Sequence, residues 1–242
     1  MRYGAVGAMG DHTVASTKRQ RVLLLGGGFG GLACAQRLSS RRFDVTLVDQ
    51  KPCFEFLPAI HELVSRRKTP GSLRLPLRRL LEASGHRFHH ARVLAIDPAL
   101  NRVTTTRGAV DYDILVAALG GADTDFGIPG VRANTYSFKS VAQCAAIGTA
   151  LHQLMHAGKP ARVTVIGSGF EGVEAVGEVL RCAEGQAISI NLVESADRPL
   201  PSAPALVSEY LSRSCEHAGV SLYLGQRVTK VTPKTLSLSD GR

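Results

Sequence analysis

The chain has 242 residues, a formal net charge of +9, an apolar share of 44% and no Trp. That length accommodates two domains of ordinary size, and no apolar stretch reaches the roughly 20 residues that span a bilayer. Residues 1–20 are rich in Gly, Ala, Ser and Thr and lack the apolar core of a secretory signal, so they read as a disordered tail.

From residue 21 the pattern is strand, helix, strand. The apolar run Val22-Leu23-Leu24-Leu25 enters Gly26-Gly27-Gly28-Phe29-Gly30-Gly31, and Asp44-Val45-Thr46-Leu47-Val48 ends in Asp49. Cys53-Phe54-Glu55-Phe56-Leu57-Pro58 then reads as an apolar loop. A mainly helical stretch follows through residue 81, interrupted by Pro70-Gly71 and Pro76. Residues 88–96 and 102–106 read as short strands about an Asp97-Pro98 turn, and residues 110–118 as one buried strand. Gly127-Ile128-Pro129-Gly130 is turn-rich and marks the best domain boundary. Residues 141–155 read as a helix. A second cycle repeats the first: Val163-Thr164-Val165-Ile166 enters Gly167-Ser168-Gly169-Phe170-Glu171-Gly172, and residues 188–193 end in Glu194. Residues 171–181 and 205–217 read as helices, 220–224 as a strand, and the remainder as a hairpin.

The duplicated glycine signature carries the functional signal. In G-x-G-x-x-G the first Gly permits the sharp turn off a strand, the second lets backbone approach a pyrophosphate, and the third allows close helix–strand packing. The helix that follows presents free N–H groups and a positive dipole end to phosphate. An acid at the tip of the next strand suits a ribose diol, and Asp49 and Glu194 both stand there. Two complete copies imply two dinucleotide sites, and two such sites in one chain suggest electron transfer between their ligands. Beyond the second turn, Val173, Val176 and Leu180 form an apolar helical face, with Glu171, Glu174 and Glu178 on another stripe.

The five cysteines (Cys34, Cys53, Cys144, Cys182 and Cys215) show neither C-x-x-C nor metal-ligand spacing, which fits a reducing compartment. Eight basic residues from Arg66 to Arg92 face only Glu62 and Glu82. Such a stretch suits a solvated helical face, an anionic lipid surface or an acidic partner. Nucleic acid is disfavoured, because only Phe88 offers a stacking aromatic there.

In order, these features resemble the two-dinucleotide-domain flavoproteins of the pyridine nucleotide-disulfide oxidoreductase superfamily, and within them the type II NADH dehydrogenases (NADH:quinone oxidoreductases). The resemblance rests on the first turn with Asp49, on Asp111-Tyr112-Asp113-Ile114-Leu115-Val116-Ala117-Ala118-Leu119-Gly120, on the 127–130 junction, and on residues 167–178 with Glu194. It implies an α/β chain of two Rossmann-like, three-layer ββα domains, the second inserted into the first. Residues 21–126 would be the FAD-binding domain and 127–242 the NAD(P)H-binding domain. Gly26, Gly28, Phe29, Gly30, Gly31, Asp49 and Gly120 would then serve FAD, and Gly167, Gly169, Phe170, Gly172 and Glu194 would serve NADH.

A carboxylate accepts from a 2′-hydroxyl and repels a 2′-phosphate, so Glu194 favours NADH, while nearby Arg198 could weaken that preference. Glu174 matches a family glutamate near the meeting point of nicotinamide and flavin and is the candidate catalytic residue, for orienting the nicotinamide or relaying protons. The competing reading is an acid that stabilises the helix dipole. The implied activity is hydride transfer from NADH to flavin and electron transfer on to a quinone. The implied setting is cytoplasmic, with peripheral contact at the inner face of a membrane and a homodimer left open.

The chain departs from the pattern in three places. Cys53 is solitary where disulfide reductases carry a redox pair, and Leu119 stands where the family usually has Thr. The later Gly-Asp motif and the quinone-site segments have no counterpart, so the chain reads as an N-terminal portion. Two other readings therefore stand beside the first: a nucleotide-binding remnant without catalysis, and a flavin reductase that passes electrons to an acidic protein carrier.

Overall fold

The computed structural model describes residues 19–242, so most of the 1–20 tail lies outside the described residues. The chain runs β1 (Gln20–Leu25), α1 (Phe29–Arg37), β2 (Phe43–Asp49), β3 (Cys53–Glu55), two 3-10 segments (Leu57–Leu63 and Pro70–Leu73), β4 (Arg74–Pro76) and α2 (Leu77–Glu82). It continues with β5 (Arg87–His90), β6 (Val93–Asp97), β7 (Arg102–Thr105), β8 (Gly108–Asp111) and β9 (Ile114–Ala117). Then come α3 (Val131–Asn134), α4 (Val141–His156), β10 (Ala161–Ile166), α5 (Phe170–Ala183) and β11 (Ile188–Val193). Last are α6 (Ala205–His217), β12 (Val220–Tyr223), β13 (Val228–Val231) and β14 (Leu236–Leu238). These elements divide into two compact units, residues up to Pro52 with Leu77–Leu119, and Cys53–Pro76 with Gly120–Arg242.

The first unit is built on a parallel sheet of order β5-β2-β1-β9. β1 lies inside it, and Val22, Leu23, Leu24 and Leu25 are no more than 3% exposed. A strand covered on both faces needs such an unbroken apolar run rather than an alternating one. Its two faces feed separate cores: Val22 and Leu24 pack with Ala35, Val45, Leu47 and Leu81, while Leu23 and Leu25 pack with Val48, Ala91, Val103 and Tyr112. An antiparallel sheet, β6-β7-β8, completes the unit.

Two expected strands each prove to be two. Residues 88–96 divide between β5, in the parallel sheet, and β6, in the antiparallel one. Residues 110–118 divide at Tyr112-Asp113 into β8 and β9. The break has a cause: Asp113 leaves the ladder to accept from the Arg21 N–H at 2.7 Å and to pair with its guanidinium at 2.8 Å.

The second unit holds a parallel sheet of order β10-β11-β12, the hairpin β13-β14 and the antiparallel pair β3-β4. Its main core joins Val176 and Val179 of α5, Ile190 and Leu192 of β11, and Val141, Cys144 and Leu151 of α4. Ala59, Ile60, Leu63, Val64 and Leu73 enter the same core. Segment 53–76, which the sequence reading places in the first domain as a loop and helix, is thus a strand pair enclosing 3-10 turns that packs in the second unit. Glu55 fixes it there, pairing with Arg74 at 3.1 Å and accepting from the Val141 N–H at 3.4 Å.

The first unit also uses a buried histidine where a helix end lacks glycine. α1 ends at Leu38 in extended conformation, its N–H reaching back to the Cys34 and Ala35 carbonyls. His86, 4% exposed, places Nε2 at 2.9 Å from the carbonyl oxygens of both Ala35 and Leu38, so Nε2 carries the proton and donates to that helix end. Replacing it takes a donor from both carbonyls, of which that of Ala35 keeps the Leu38 N–H. His86→Leu should therefore lower unfolding stability by about 1–3 kcal/mol in urea denaturation, with the transition remaining cooperative.

Candidate functional site

Each unit contains the same construction, strand by strand. In the first, β1 and β2 pair with Leu25 opposite Val48, and the Gly26 N–H continues the ladder to the Val48 carbonyl at 2.9 Å. In the second, β10 and β11 pair with Ile166 opposite Val193, and the Gly167 N–H reaches the Val193 carbonyl at 2.8 Å. The next residue of each second strand is the acid, which meets the next residue of the glycine turn. Asp49 Oδ2 accepts from the Gly27 N–H at 2.6 Å, and Glu194 Oε2 accepts from the Ser168 N–H at 2.8 Å. The other oxygen of Asp49 accepts from the Lys51 N–H at 2.7 Å.

Sterics fix the third glycine of each turn. A Cβ at Gly31 would stand 1.9 Å from the Gly26 carbonyl oxygen, and one at Gly172 would stand 1.9 Å from that of Gly167. Only hydrogen fits, so the helix closes against its own turn. The outer side is different: a Cβ at Gly28, Gly167 or Gly169 would meet nothing within 4 Å. Each turn is therefore packed on its inner side and open outward, where α1 and α5 begin with no side-chain cap on their first N–H groups. Such an opening suits a diphosphate, whose oxygens take the uncapped N–H groups. Phe29 and Phe170 occupy matching first helical positions and are 49% and 67% exposed, flat apolar faces beside each opening. Gly30 lies 3.6 Å, by its virtual Cβ, from Ala118, while Gly120 holds φ +73° in open space at the start of the second unit's long segment.

Glu194 is the most heavily hydrogen-bonded of the candidate residues. Besides the Ser168 N–H, Oε2 accepts from the Ser168 hydroxyl at 2.8 Å, and Oε1 accepts from the Ser195 hydroxyl at 3.0 Å and the Ala196 N–H at 2.9 Å. Burial alone would push its acidity down, but the Ala196 and Ser168 N–H groups and the two hydroxyls outweigh that, holding its pKa below the usual glutamate value.

The stripe of acids on α5 separates. Glu171 forms an ion pair with Lys139 and Glu174 stands 3.8 Å from His61 Nδ1, both half exposed. Glu178, by contrast, is 5% exposed, and its only ion-pair partner among the described residues is Arg181 at 3.7 Å. His61 comes from the stretch read as mainly helical, and its Nδ1 has no hydrogen bond. The Arg198 guanidinium donates to the Ser208 hydroxyl at 3.0 Å and the Pro201 carbonyl at 2.8 Å. The basic stretch is partly neutralised within the fold, since Arg74 pairs with Glu55, Arg78 with Glu82 and Arg87 with Asp44. All five cysteines are free, and burial pushes the Cys144 thiol up to about 12, leaving it protonated and unreactive.

Two α/β units thus each close a glycine turn on an acid. The chain belongs to the pyridine nucleotide-disulphide oxidoreductase family, whose model matches residues 20–242. It is 29% identical over 232 residues to the demethylphylloquinone reductase NdbB of Synechocystis, covering 91% of this chain and 57% of that protein. It is 24% identical over 237 residues to the type II NADH:quinone oxidoreductase of Staphylococcus haemolyticus, covering 89% of this chain and 59% of the relative. Its fold superimposes on that of NDH2 from Plasmodium falciparum in complex with NADH, with a TM-score of 0.86, 18% identity, and coverage of 91% of this chain and 51% of the other. The chain thus spans about half the length of the relatives it matches.

The depressed pKa of Glu194 has a stability consequence. A carboxylate whose folded pKa lies below its unfolded value, about 4.3, adds stability that is fully present above that value. The contribution disappears as pH falls through the folded pKa. Urea denaturation from neutral pH down through this window should show the Glu194→Gln protein losing less stability on acidification than the parent. Equal losses would show that Glu194 is not held as described.

Proposed function

We propose that this chain carries the two nucleotide-binding units of an FAD-dependent NADH:quinone oxidoreductase. The observation that supports the reading most is the repeated closure of an outward-open glycine turn on a strand-tip carboxylate. Gly26, Gly28, Phe29, Gly30, Gly31 and Asp49 would hold FAD, with Gly120 added from the family resemblance. Gly167, Gly169, Phe170, Gly172 and Glu194 would hold NADH. Bound FAD supplies a two-electron acceptor for hydride that can return electrons to a quinone.

The protein's own contribution is positioning. Uncapped N–H groups at the starts of α1 and α5 meet the diphosphates, and Asp49 and Glu194 accept from ribose hydroxyls. Glu174, exposed beside His61, is placed to hold or give up a proton at its carboxylate, and the imidazole is its titratable neighbour. A redox dithiol has no part in the scheme. The relatives' names support a quinone as acceptor: NdbB is a demethylphylloquinone reductase and the staphylococcal relative an NADH:quinone oxidoreductase.

A lipid-soluble acceptor brings peripheral membrane contact into the proposal. No helix among the described residues is long and apolar enough to cross a membrane. A homodimer is carried from the family resemblance alone.

Protein purified with added FAD should be yellow and should bleach on anaerobic addition of NADH. A colourless protein that FAD cannot reconstitute would overturn the reading. Glu174→Gln should leave that bleaching intact while slowing reoxidation by a soluble quinone about a hundredfold, the low end of positioned proton transfer. Stopped-flow absorbance separates the two steps, and equal rates of reoxidation would return Glu174 to a purely structural role.

A further inference from the structure

Ser168 is the point at which three parts of the second unit meet. It is fully buried, at 0% exposed. Its N–H and its hydroxyl both donate to Glu194 Oε2 at 2.8 Å, so one residue of the glycine turn holds the acid twice. Its carbonyl accepts from the Leu200 N–H at 3.0 Å. Leu200 is itself buried, at 6% exposed, and holds φ +47°, a left-handed conformation that a leucine adopts only when its surroundings enforce it. The loop after Glu194 is thus drawn back onto the turn at Ser168.

The same loop is braced from its other end. Both terminal nitrogens of Arg198 donate within the loop and to α6, to the Pro201 carbonyl and the Ser208 hydroxyl. The remaining donors near the acid, the Ser195 hydroxyl and the Ala196 N–H, are spent on Glu194 Oε1. Donors of these kinds are what a 2′-phosphate would need to find.

The first unit supplies the control. Gly27 stands where the second unit has Ser168, and a Cβ there would lie 2.5 Å from Leu77 Cδ1 and 3.2 Å from Asp49 Oδ2. A hydroxyl-bearing side chain would thus displace Leu77 in the first turn and is accommodated in the second. The difference between the two otherwise equivalent turns lies in how the acid is held.

We propose that Ser168 is a positioning residue for coenzyme selection, its hydroxyl clamping Glu194 as an oriented carboxylate, and that Arg198 is a brace for the loop rather than a reader of 2′-phosphate. This rests on reading the second unit as the NADH site. A clamped carboxylate keeps its orientation, needs only the exposed Ser195 hydroxyl to turn aside before it accepts from a 2′-hydroxyl, and repels a 2′-phosphate at full charge. An unclamped one swings and takes up a proton more readily, so both preferences relax.

The test compares the parent chain with Ser168→Ala and Arg198→Ala in two measurements. The first is the pH titration of the Glu194 side-chain carboxyl by carbon-13 NMR without coenzyme. The second is binding of NADH and NADPH by calorimetry. Ser168→Ala should move the Glu194 midpoint upward, weaken NADH about tenfold, as expected for loss of a hydrogen bond to a charged group, and narrow the NADH:NADPH ratio. Arg198→Ala should leave that ratio unchanged. If alanine prevents folding, Ser168→Gly, the residue the first unit uses at this place, carries the same expectations. A folded Ser168 variant with the parent's Glu194 midpoint and coenzyme ratio overturns the proposal, as does a selective loss of NADPH binding in Arg198→Ala. A parent chain that binds neither coenzyme overturns the site reading beneath it, and is recognised because the carboxyl titration needs no coenzyme.

Discussion

The hydrogen bond between a strand-tip carboxylate and the N–H of a glycine turn is the constraint on which both units depend. It occurs as Asp49 to Gly27 and again as Glu194 to Ser168, at 2.6 and 2.8 Å. Each bond ties the end of one strand to the exit of its neighbour, just where the parallel ladder stops. An unpaired N–H at that depth would cost the free energy of a buried, unsatisfied donor. The acid removes that cost in each unit.

The rest of each unit holds that pair in register. β1 packs apolar side chains from both faces, and each fully buried leucine or valine contributes about 1.5–3 kcal/mol relative to exposure. The third glycine, with a carbonyl 1.9 Å from any Cβ, lets the helix start directly beneath the turn. A helix displaced by even a methyl group would carry its free N–H groups away from the opening. The fold therefore leaves room on the outer side of the turn by refusing it on the inner side.

Much of this was legible in the sequence because the signals are local and physically forced. Continuous apolar runs, fixed glycine spacing and a strand-ending acid marked both units, and α6 (Ala205–His217) was read to its full length. What escaped depends on contacts between residues distant in the chain. Residues 110–118 form an unbroken apolar-ending run, yet the Arg21–Asp113 pair divides them between two sheets. Segment 53–76 has no periodicity, because its 3-10 turns are shaped by packing on α4 and α5 rather than by propensity. Glu171, Glu174 and Glu178 look alike in spacing, but only the last is buried, since the helix turns that position toward the core. His61 and Ser168 gave no sequence signal beyond their neighbourhood. The nearness of Arg198 to the acid did not reveal that its guanidinium also bonds Pro201 and Ser208.

The central claim is that the two turn–acid pairs are separate nucleotide sites, and calorimetric titration with FAD and with ADP-ribose tests it most directly. The parent chain should take up one equivalent of each. Asp49→Ala should abolish FAD uptake and spare ADP-ribose, and Glu194→Ala should do the reverse, with both variants folded by circular dichroism. Folded variants that each lose both ligands, or neither, would contradict the account.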